Sequence, residues 1–319
     1  MMHRDLSIID ILKFASENHS LSEVVSLRTE GDMHRYNYTD CLSRVCKLAN
    51  ALVGLGIKKG DRVATLAWNG YRHLELYYGI SGIGAVCHTI NPRLSPEQML
   101  YIIEHAGDRL LFVDTTFVPI IEKLIPKLPK NLVIIVMASS DDSSTLSDNF
   151  LNYEQLILES SHDIIWPELP ENTAAGLCYT SGTTGNPKGA LYSHRSTVLH
   201  ALTTSLNLGP SLGDGMKVLP VVPLFHVNAW GLPYAAPLTG TSLIFPGPNL
   251  DGASLFDLMD QENVNSAWGV PTVWLGLLEE IRKQERVPSQ FQNVVVGGSA
   301  APKSMIEEFE SLGITVCHA

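Results

Sequence analysis

The chain has 319 residues, enough for two α/β lobes, and 45% of them are hydrophobic against 17% charged. That balance excludes a disordered chain, and a formal net charge of −11 argues against nonspecific binding to nucleic acid or to an anionic membrane face. A small phosphorylated ligand stays compatible, because it needs only a local pocket of backbone amides and one or two cations. No apolar run approaches the ~20 residues of a membrane span. Residues 1–20 carry Asp5, Asp10 and Glu17 where a secretion signal would be continuously apolar. The five cysteines (Cys41, Cys46, Cys87, Cys178 and Cys317) show no C-x-x-C spacing and read as reduced thiols, so a cytoplasmic protein is expected.

In chain order, Leu42, Val45, Leu48, Ala49 and Leu52 share one face of a helix over residues 40–55, with Thr39 as N-cap and Gly54 and Gly56 as stops. Residues 62–67 read as a strand, 71–83 as a helix and 85–89 as a strand leading into Asn91-Pro92-Arg93. Ser95 caps the next helix, with Pro96 at its first position. Strands over 110–113 and 132–137 follow, then a Ser/Asp-rich surface loop at 139–148. A lobe boundary is placed at residues 167–172, dividing the chain into a first lobe (1–170, its N-terminal stretch packing on the second) and a second lobe (171–319). The second lobe repeats the alternation, with strands over 174–179, 217–222, 242–245, 264–268 and 293–296. Strands alternating with helices predict parallel sheets covered on both faces.

The most informative stretch is Tyr179-Thr180-Ser181-Gly182-Thr183-Thr184-Gly185-Asn186-Pro187-Lys188-Gly189, set between an apolar strand and a helical segment near Ser193. A triphosphate needs inward-facing amides, which glycines permit, together with hydroxyls and a cation. Thr180, Ser181, Thr183 and Thr184 supply the hydroxyls, and Lys188 supplies the cation. The spacing is not that of a Walker A loop, since Gly189 and not Ser or Thr follows Lys188.

This loop resembles the signature of the adenylate-forming superfamily, which includes acyl-CoA synthetases, luciferases and the adenylation domains of peptide synthetases. Pro223-Leu224-Phe225-His226-Val227-Asn228-Ala229-Trp230 is similar to the segment that holds the substrate carboxylate in fatty acyl-CoA synthetases. The resemblance implies that His226 and Val227 lie near the acyl-adenylate and that Trp230 gates an acyl tunnel. Trp268-Gly269-Val270-Pro271-Thr272-Val273-Trp274 looks like a turn lining the same pocket. Val294-Val295-Val296-Gly297-Gly298-Ser299-Ala300-Ala301-Pro302 resembles the turn laid against adenine, which implicates Gly298, Ser299, Ala300, Ala301 and Pro302. The same turn approximates a hydrolase G-x-S-x-G elbow, but the seventeen residues after Pro302 leave too little chain for an acid and a histidine at the usual spacing.

What the resemblance implies is a fold of two stacked parallel-sheet lobes in αβαβα layers, stopping before a small β-barrel and a C-terminal domain. The function implied is ATP-dependent activation of a medium- or long-chain carboxylic acid to acyl-AMP and then acyl-CoA. ATP, Mg²⁺ and coenzyme A are the expected cofactors and cosubstrates, and a homodimer is compatible. Lys188 and His226 are the expected catalytic residues. Thr180, Ser181, Gly182, Thr183, Thr184, Gly185 and Lys188 would bind the phosphates, with Thr180 a contact to Mg²⁺. Gly298, His318 and Ala319 would complete the acyl-adenylate pocket. Family members place a Tyr/Trp-Gly-x-Thr-Glu motif directly after the last strand, where this chain stops at Cys317-His318-Ala319. The chain is therefore expected to be an inactive portion of the enzyme. The alternatives are a noncatalytic nucleotide- or acyl-binding fragment, or a ligase for a short thioether or aromatic acid.

Overall fold

The structure, a computed structural model, describes residues 4–140, 150–180, 186–208 and 211–318. Its first elements were not anticipated: helix α1 (Ile8–Asn18) and the antiparallel pair β1 (Glu23–Leu27) and β2 (Met33–Asn37). Helix α2 (Tyr38–Gly54) then begins one residue before the expected cap. Asn37, not Thr39, is its N-cap: the Asn37 side chain accepts from the Asp40 amide at 2.9 Å, and Asp40 returns the bond. An amide oxygen two residues before Thr39 reaches the orphan N–H better, which frees Thr39 to donate to the Ser16 carbonyl.

The following units are β3 (Arg62–Leu66), α3 (Tyr71–Gly82), β4 (Val86–Thr89), α4 (Pro96–Ala106) and β5 (Asp108–Asp114). Ser95 caps α4 in a capping box with Gln98, as its sequence suggests. After them come α5 (Val118–Leu124), β6 (Val133–Met137), β7 (Leu151–Asn152) and α6 (Tyr153–Glu159). Most of the 139–148 loop lies outside the described residues. The rest comprises β8 (Ala174–Thr180), β9 (Lys188–Ser193), α7 (His194–Asn207), β10 (Lys217–Pro220), α8 (Leu232–Thr239), β11 (Ser242–Phe245), α9 (Gly252–Glu262), β12 (Ser266–Gly269), α10 (Pro271–Gln284), β13 (Asn293–Val296), α11 (Lys303–Ser311) and β14 (Thr315–His318).

Two seven-stranded sheets result, ordered β14-β13-β12-β10-β11-β1-β2 and β7-β6-β5-β3-β4-β8-β9. Each is parallel except for one antiparallel edge strand, β2 or β9. The sheets exchange strands across residue 170. β1 and β2 complete the second sheet, whereas β8 and β9 complete the first. A cut at residue 170 would take β8 and β9 from the sheet they belong to. Strand identity follows hydrogen-bonding partners distant in sequence, which local composition does not encode.

The core is layered. A central cluster joins α1, α2, α3, α7 and α8 between the sheets, with Leu12, Leu48, Tyr78, Ala201 and Tyr234 among its members. One outer cluster packs α9, α10 and α11 on the second sheet, and another packs α4 and α5 on the first. The αβαβα layering expected from the sequence is therefore the observed one.

Three histidines are held neutral, His73 and His194 buried and His34 half-buried. Burial pushes His34, His73 and His194 down to about 4. His194 accepts from the Ile8 amide at 3.1 Å, tying α1 to α7, and His73 bonds Thr65 at 2.9 Å. The unfolded chain protonates these rings near 6.5, so the stability they contribute is complete above that pH and lost as pH falls towards 4. Asp114, pushed up to about 7 by burial, acts in the opposite direction: its contribution is lost as pH rises from its unfolded value through 7. It therefore offsets one ring. His34, His73 and His194 against Asp114 leave about two protons taken up on unfolding, or ~2.7 kcal/mol per pH unit between pH 4 and 6.5. Urea unfolding is expected to show lower stability at pH 5 than at pH 7, and His73→Gln to flatten that slope. Equal stability at the two pH values would contradict this account.

Candidate acyl-adenylate site

Open parallel sheets bind ligands beyond the carboxyl ends of their strands, where the winding direction reverses. In the second sheet that reversal flanks β10, with β11 on one side and β12 on the other. The segment leaving β10 carries His226, Val227 and Trp230.

Its backbone is unusual. Val227, Asn228, Ala229 and Trp230 have φ of 47°, 50°, 47° and 55°, and Gly231 follows at 82°. Four consecutive non-glycine residues thus form a left-handed turn, and one of them is β-branched. At ~1–2 kcal/mol per residue the turn carries roughly 4–8 kcal/mol of strain. Such strain persists only where the surroundings over-determine the conformation. Gly231 is required for a further reason: a Cβ there would lie 2.5 Å from His200 Nδ1.

The surroundings come largely from the first sheet. The Asn69 side chain donates to the carbonyls of Pro220 at 2.7 Å and Val222 at 3.0 Å, and accepts from the Leu224 amide at 2.7 Å. The Tyr77 hydroxyl donates to the Leu224 carbonyl at 2.5 Å, and Thr89 to the Phe225 carbonyl at 3.2 Å. Tyr78 donates to the Pro233 carbonyl at 2.6 Å, and Cys178 Sγ lies 3.5 Å from Asn228 Oδ1. Burial holds the Cys178 thiol above its ordinary range, so it is a weak donor and not a nucleophile.

Beside the turn is a cleft of about 200 Å³ lined by Tyr192, Ser196, Thr197, His200, Val227, Asn228, Gly231 and Tyr234. Its walls are mainly apolar. Of the expected pocket residues, only Val227 lines it. The Trp230 ring turns the other way, towards the β13–α11 turn: a Cβ on Gly298 would lie 3.9 Å from Trp230 and 3.2 Å from Val270. Gly298 itself is left-handed at φ +77°. The Trp268–Trp274 stretch, the 297–302 turn and His318 thus cluster at the carboxyl ends of β12, β13 and β14, with Trp230 reaching them. Gly298, Ser299, Ala300 and Pro302 are exposed, and Ala301 is half-buried against the outer core. His226 and His318 are exposed. Ala319 lies outside the described residues.

The phosphate loop corrects one expectation. It does not run from strand to helix: Lys188 opens β9, which returns antiparallel to β8 with Thr180 opposite Lys188. The capping site at Ser193 starts α7 six residues further on. Six residues that are all exposed or half-buried, Lys188 to Ser193, carry too few apolar side chains to announce an edge strand. Ser181, Gly182, Thr183, Thr184 and Gly185 lie outside the described residues. Thr180 and Lys188 are exposed at the mouth of the hairpin, and Lys188 makes no ion pair with a described residue. Among the described residues no three His, Cys, Asp or Glu side chains form a cluster, and Thr180 is the one hard oxygen the sequence assigned. A hydroxyl alone does not meet magnesium's need for at least one carboxylate.

Residues that the sequence did not single out are His200, Asn228, Tyr234 and the first-lobe tethers, Asn69 above all. His200 and Ser196 stand one helical turn apart on α7, but nothing local tells that face from a solvated one.

The model of the AMP-binding enzyme family matches residues 14–319, and the chain belongs to that family. It is 48% identical over its whole length to a medium-chain-fatty-acid–CoA ligase of Ectopseudomonas oleovorans, and covers 59% of that protein. It is 44% identical to a 3-methylmercaptopropionyl-CoA ligase of Ruegeria pomeroyi, covering 60% of it. A long-chain-fatty-acid–CoA ligase of Thermus thermophilus is also 44% identical over 99% of this chain, which spans 57% of that relative. The chain therefore spans about 60% of the length of these relatives. Among solved structures, the anthranilate CoA ligase AuaEII with anthranoyl-AMP superposes with a TM-score of 0.86 at 21% identity, over 99% of this chain and 60% of that one. The N-terminal domain of FACL13 from Mycobacterium tuberculosis does so at 0.82 and 24%, over 98% of this chain and 75% of that one. At these identities both support the fold alone.

Proposed function

We propose that the chain forms the ATP- and acyl-binding part of an acyl-CoA ligase acting on medium- or long-chain carboxylic acids. The observation that carries this reading is the mainly apolar cleft beside the His226–Gly231 turn, from which Trp230 reaches the Gly298 turn. The acid's carboxylate oxygen attacks the α-phosphorus of ATP, the bond to the bridging oxygen breaks, and pyrophosphate leaves. The thiol of coenzyme A then displaces AMP from the acyl carbon.

In this reading Lys188, with Thr180 and the loop it closes, holds the phosphates as negative charge moves to pyrophosphate. His226 and the turn orient the carboxylate, and the exposed 298–302 turn receives adenine. Holding both reactants in register removes ~7 kcal/mol or more of the barrier. No step is assigned to magnesium. The proposed setting is the cytoplasm, where ATP and coenzyme A are present.

A short thioether acid is the second reading. It is favoured by Ser196, Thr197, His200 and Asn228 in the cleft wall, which could meet a heteroatom that a plain alkyl chain lacks.

The test is ATP–pyrophosphate exchange by the full-length polypeptide containing this chain, across straight-chain acids of increasing length, thioether acids and amino acids. Alkanoic acids are expected to support exchange. Exchange with amino acids alone would overturn the proposal. The 319-residue chain by itself is expected to bind ATP without forming acyl-AMP, and acyl-AMP formation by it would overturn that part.

A further inference from the structure

We propose that Asn69 is a positioning residue for the acyl site: from the first sheet it holds the strained His226–Gly231 turn of the second in its working conformation. The inference rests on the reading of that turn as the place where the carboxylate is held.

The argument begins with topology. Asn69 lies just past the carboxyl end of β3, the strand on which the first sheet reverses its winding. Pro220, Val222 and Leu224 lie at and just past the carboxyl end of β10, the corresponding strand of the second sheet. Asn69 therefore joins the two reversal points. Its backbone bridges Gly247 in antiparallel fashion, and the neighbouring Tyr71 amide donates to Ser26 Oγ at 2.9 Å. The 69–71 segment is thus fixed on the second sheet before its side chain acts.

The side chain uses both donors and its acceptor on three main-chain groups of one segment, at 2.7, 3.0 and 2.7 Å. It adds to the β12 contact, which past Pro220 holds the segment through the Val221 and Val222 amides on the Trp268 carbonyl. β11, paired with β10 only at Lys217 and Val218, does not reach that far. Asn69 is buried, so its three main-chain groups are its partners in place of bulk water. The segment it fixes ends two residues before His226, and the left-handed run begins one residue after His226. Tyr77 reinforces the same point through the Leu224 carbonyl. A bracket rigid up to residue 224 leaves only Phe225 and His226 to absorb misalignment before the turn. Few side chains could perform this role: Gln is longer by a methylene, Leu offers no hydrogen bond, and Asp carries the wrong charge towards two carbonyls.

The charge mismatch supplies the test. Asn69→Asp keeps the acceptor for the Leu224 amide but sets a carboxylate against the Pro220 and Val222 carbonyls. Protonation restores one donor. In the full-length polypeptide with decanoate, Asn69→Asp should lose activity at pH 8 and recover it progressively towards pH 6, relative to the unmodified protein. Asn69→Ala should lower kcat about 100-fold, the scale for displaced reactants, and raise the KM for decanoate while leaving the KM for ATP unchanged.

Hydrogen exchange tests the bracket without any reaction. Amides of residues 224–231 should exchange about tenfold faster or more in Asn69→Ala, with those of β12 and β13 unchanged. If Asn69→Ala does not fold, Tyr77→Phe and Asn69→Asp are read in the same way, with smaller and pH-dependent acceleration. Unchanged exchange at 224–231, an Asn69→Asp defect equal at both pH values, or equal rises in both KM values would overturn the proposal. Exchange acceleration in a protein that activates no carboxylic acid would uphold the bracket and sink the functional reading instead.

Discussion

Replacing Arg72 by methionine is expected to destabilise the protein by about 3–5 kcal/mol at pH 7, the scale for stranding buried charge. Methionine keeps most of the volume, so the loss reports charge and hydrogen bonds. Arg72 lies buried on α3, with Nε 2.8 Å from Glu154 Oε1 and Nη1 2.8 Å from Glu30 Oε1 and 2.9 Å from the Met137 carbonyl. Arg44 meets Glu75 at 2.7 Å and Glu154 at 2.9 Å. Tyr71 donates to Glu154 at 2.7 Å and Tyr153 to Glu75 at 2.5 Å. Two guanidiniums thus hold three carboxylates, and removing one leaves three against one.

The effect should depend on pH. Burial pushes the Glu154 carboxyl up, yet Arg44 and then Arg72 outweigh it and hold the group below its ordinary value. A lowered carboxyl contributes stability above its unfolded value and loses it as pH falls through the folded one. Without Arg72 the Glu154 carboxyl rises, and the stranded charge can be relieved by a proton. The deficit of Arg72→Met in urea unfolding should therefore be smaller at pH 5 than at pH 7. A loss below 1 kcal/mol, or one equal at the two pH values, would show that the network is self-sufficient without Arg72.

Lys188→Ala is the second large effect, and it depends on the proposed function. Lys188 is exposed at the first position of β9 and makes no ion pair with a described residue, so its removal should leave folding unchanged. Against a phosphate it would make charge-assisted hydrogen bonds worth ~1.5–3 kcal/mol, about 10- to 100-fold in ATP affinity. If the ammonium follows charge onto departing pyrophosphate, exchange by the full-length polypeptide should fall about 100- to 1,000-fold. ATP titration of the 319-residue chain measures the first quantity, and pyrophosphate exchange the second. Equal ATP affinity with equal exchange would remove Lys188 from the site.

How much of this was legible in the sequence depends on the range of the interaction. The helices over residues 71–82 and 96–106 and the strands over 242–245 and 293–296 follow from local periodicity and caps, and the structure agrees closely. Short-range rules erred where two local partners competed, as at Asn37 and Thr39. They also erred where a strand owes its existence to a distant neighbour. β9 pairs only with β8, and β1 reaches β11 across more than half the chain.

Sequence order was enough to single out the hydroxyl-rich loop, the His226 segment and the Gly297-Gly298 turn as candidates, because each is a continuous motif. The sequence alone determined the family, the layered fold and the acidic character. Only the tertiary structure decided that Trp230 turns towards Gly298, that His200 crowds Gly231, and that β8 and β9, on either side of the phosphate loop, pair antiparallel. It alone placed Asn69 against the end of β10, some 150 residues away in the chain. A motif is a local arrangement of side-chain chemistry and can be read in order. Holding four non-glycine residues left-handed needs contacts from another sheet, and those exist only after the chain has folded.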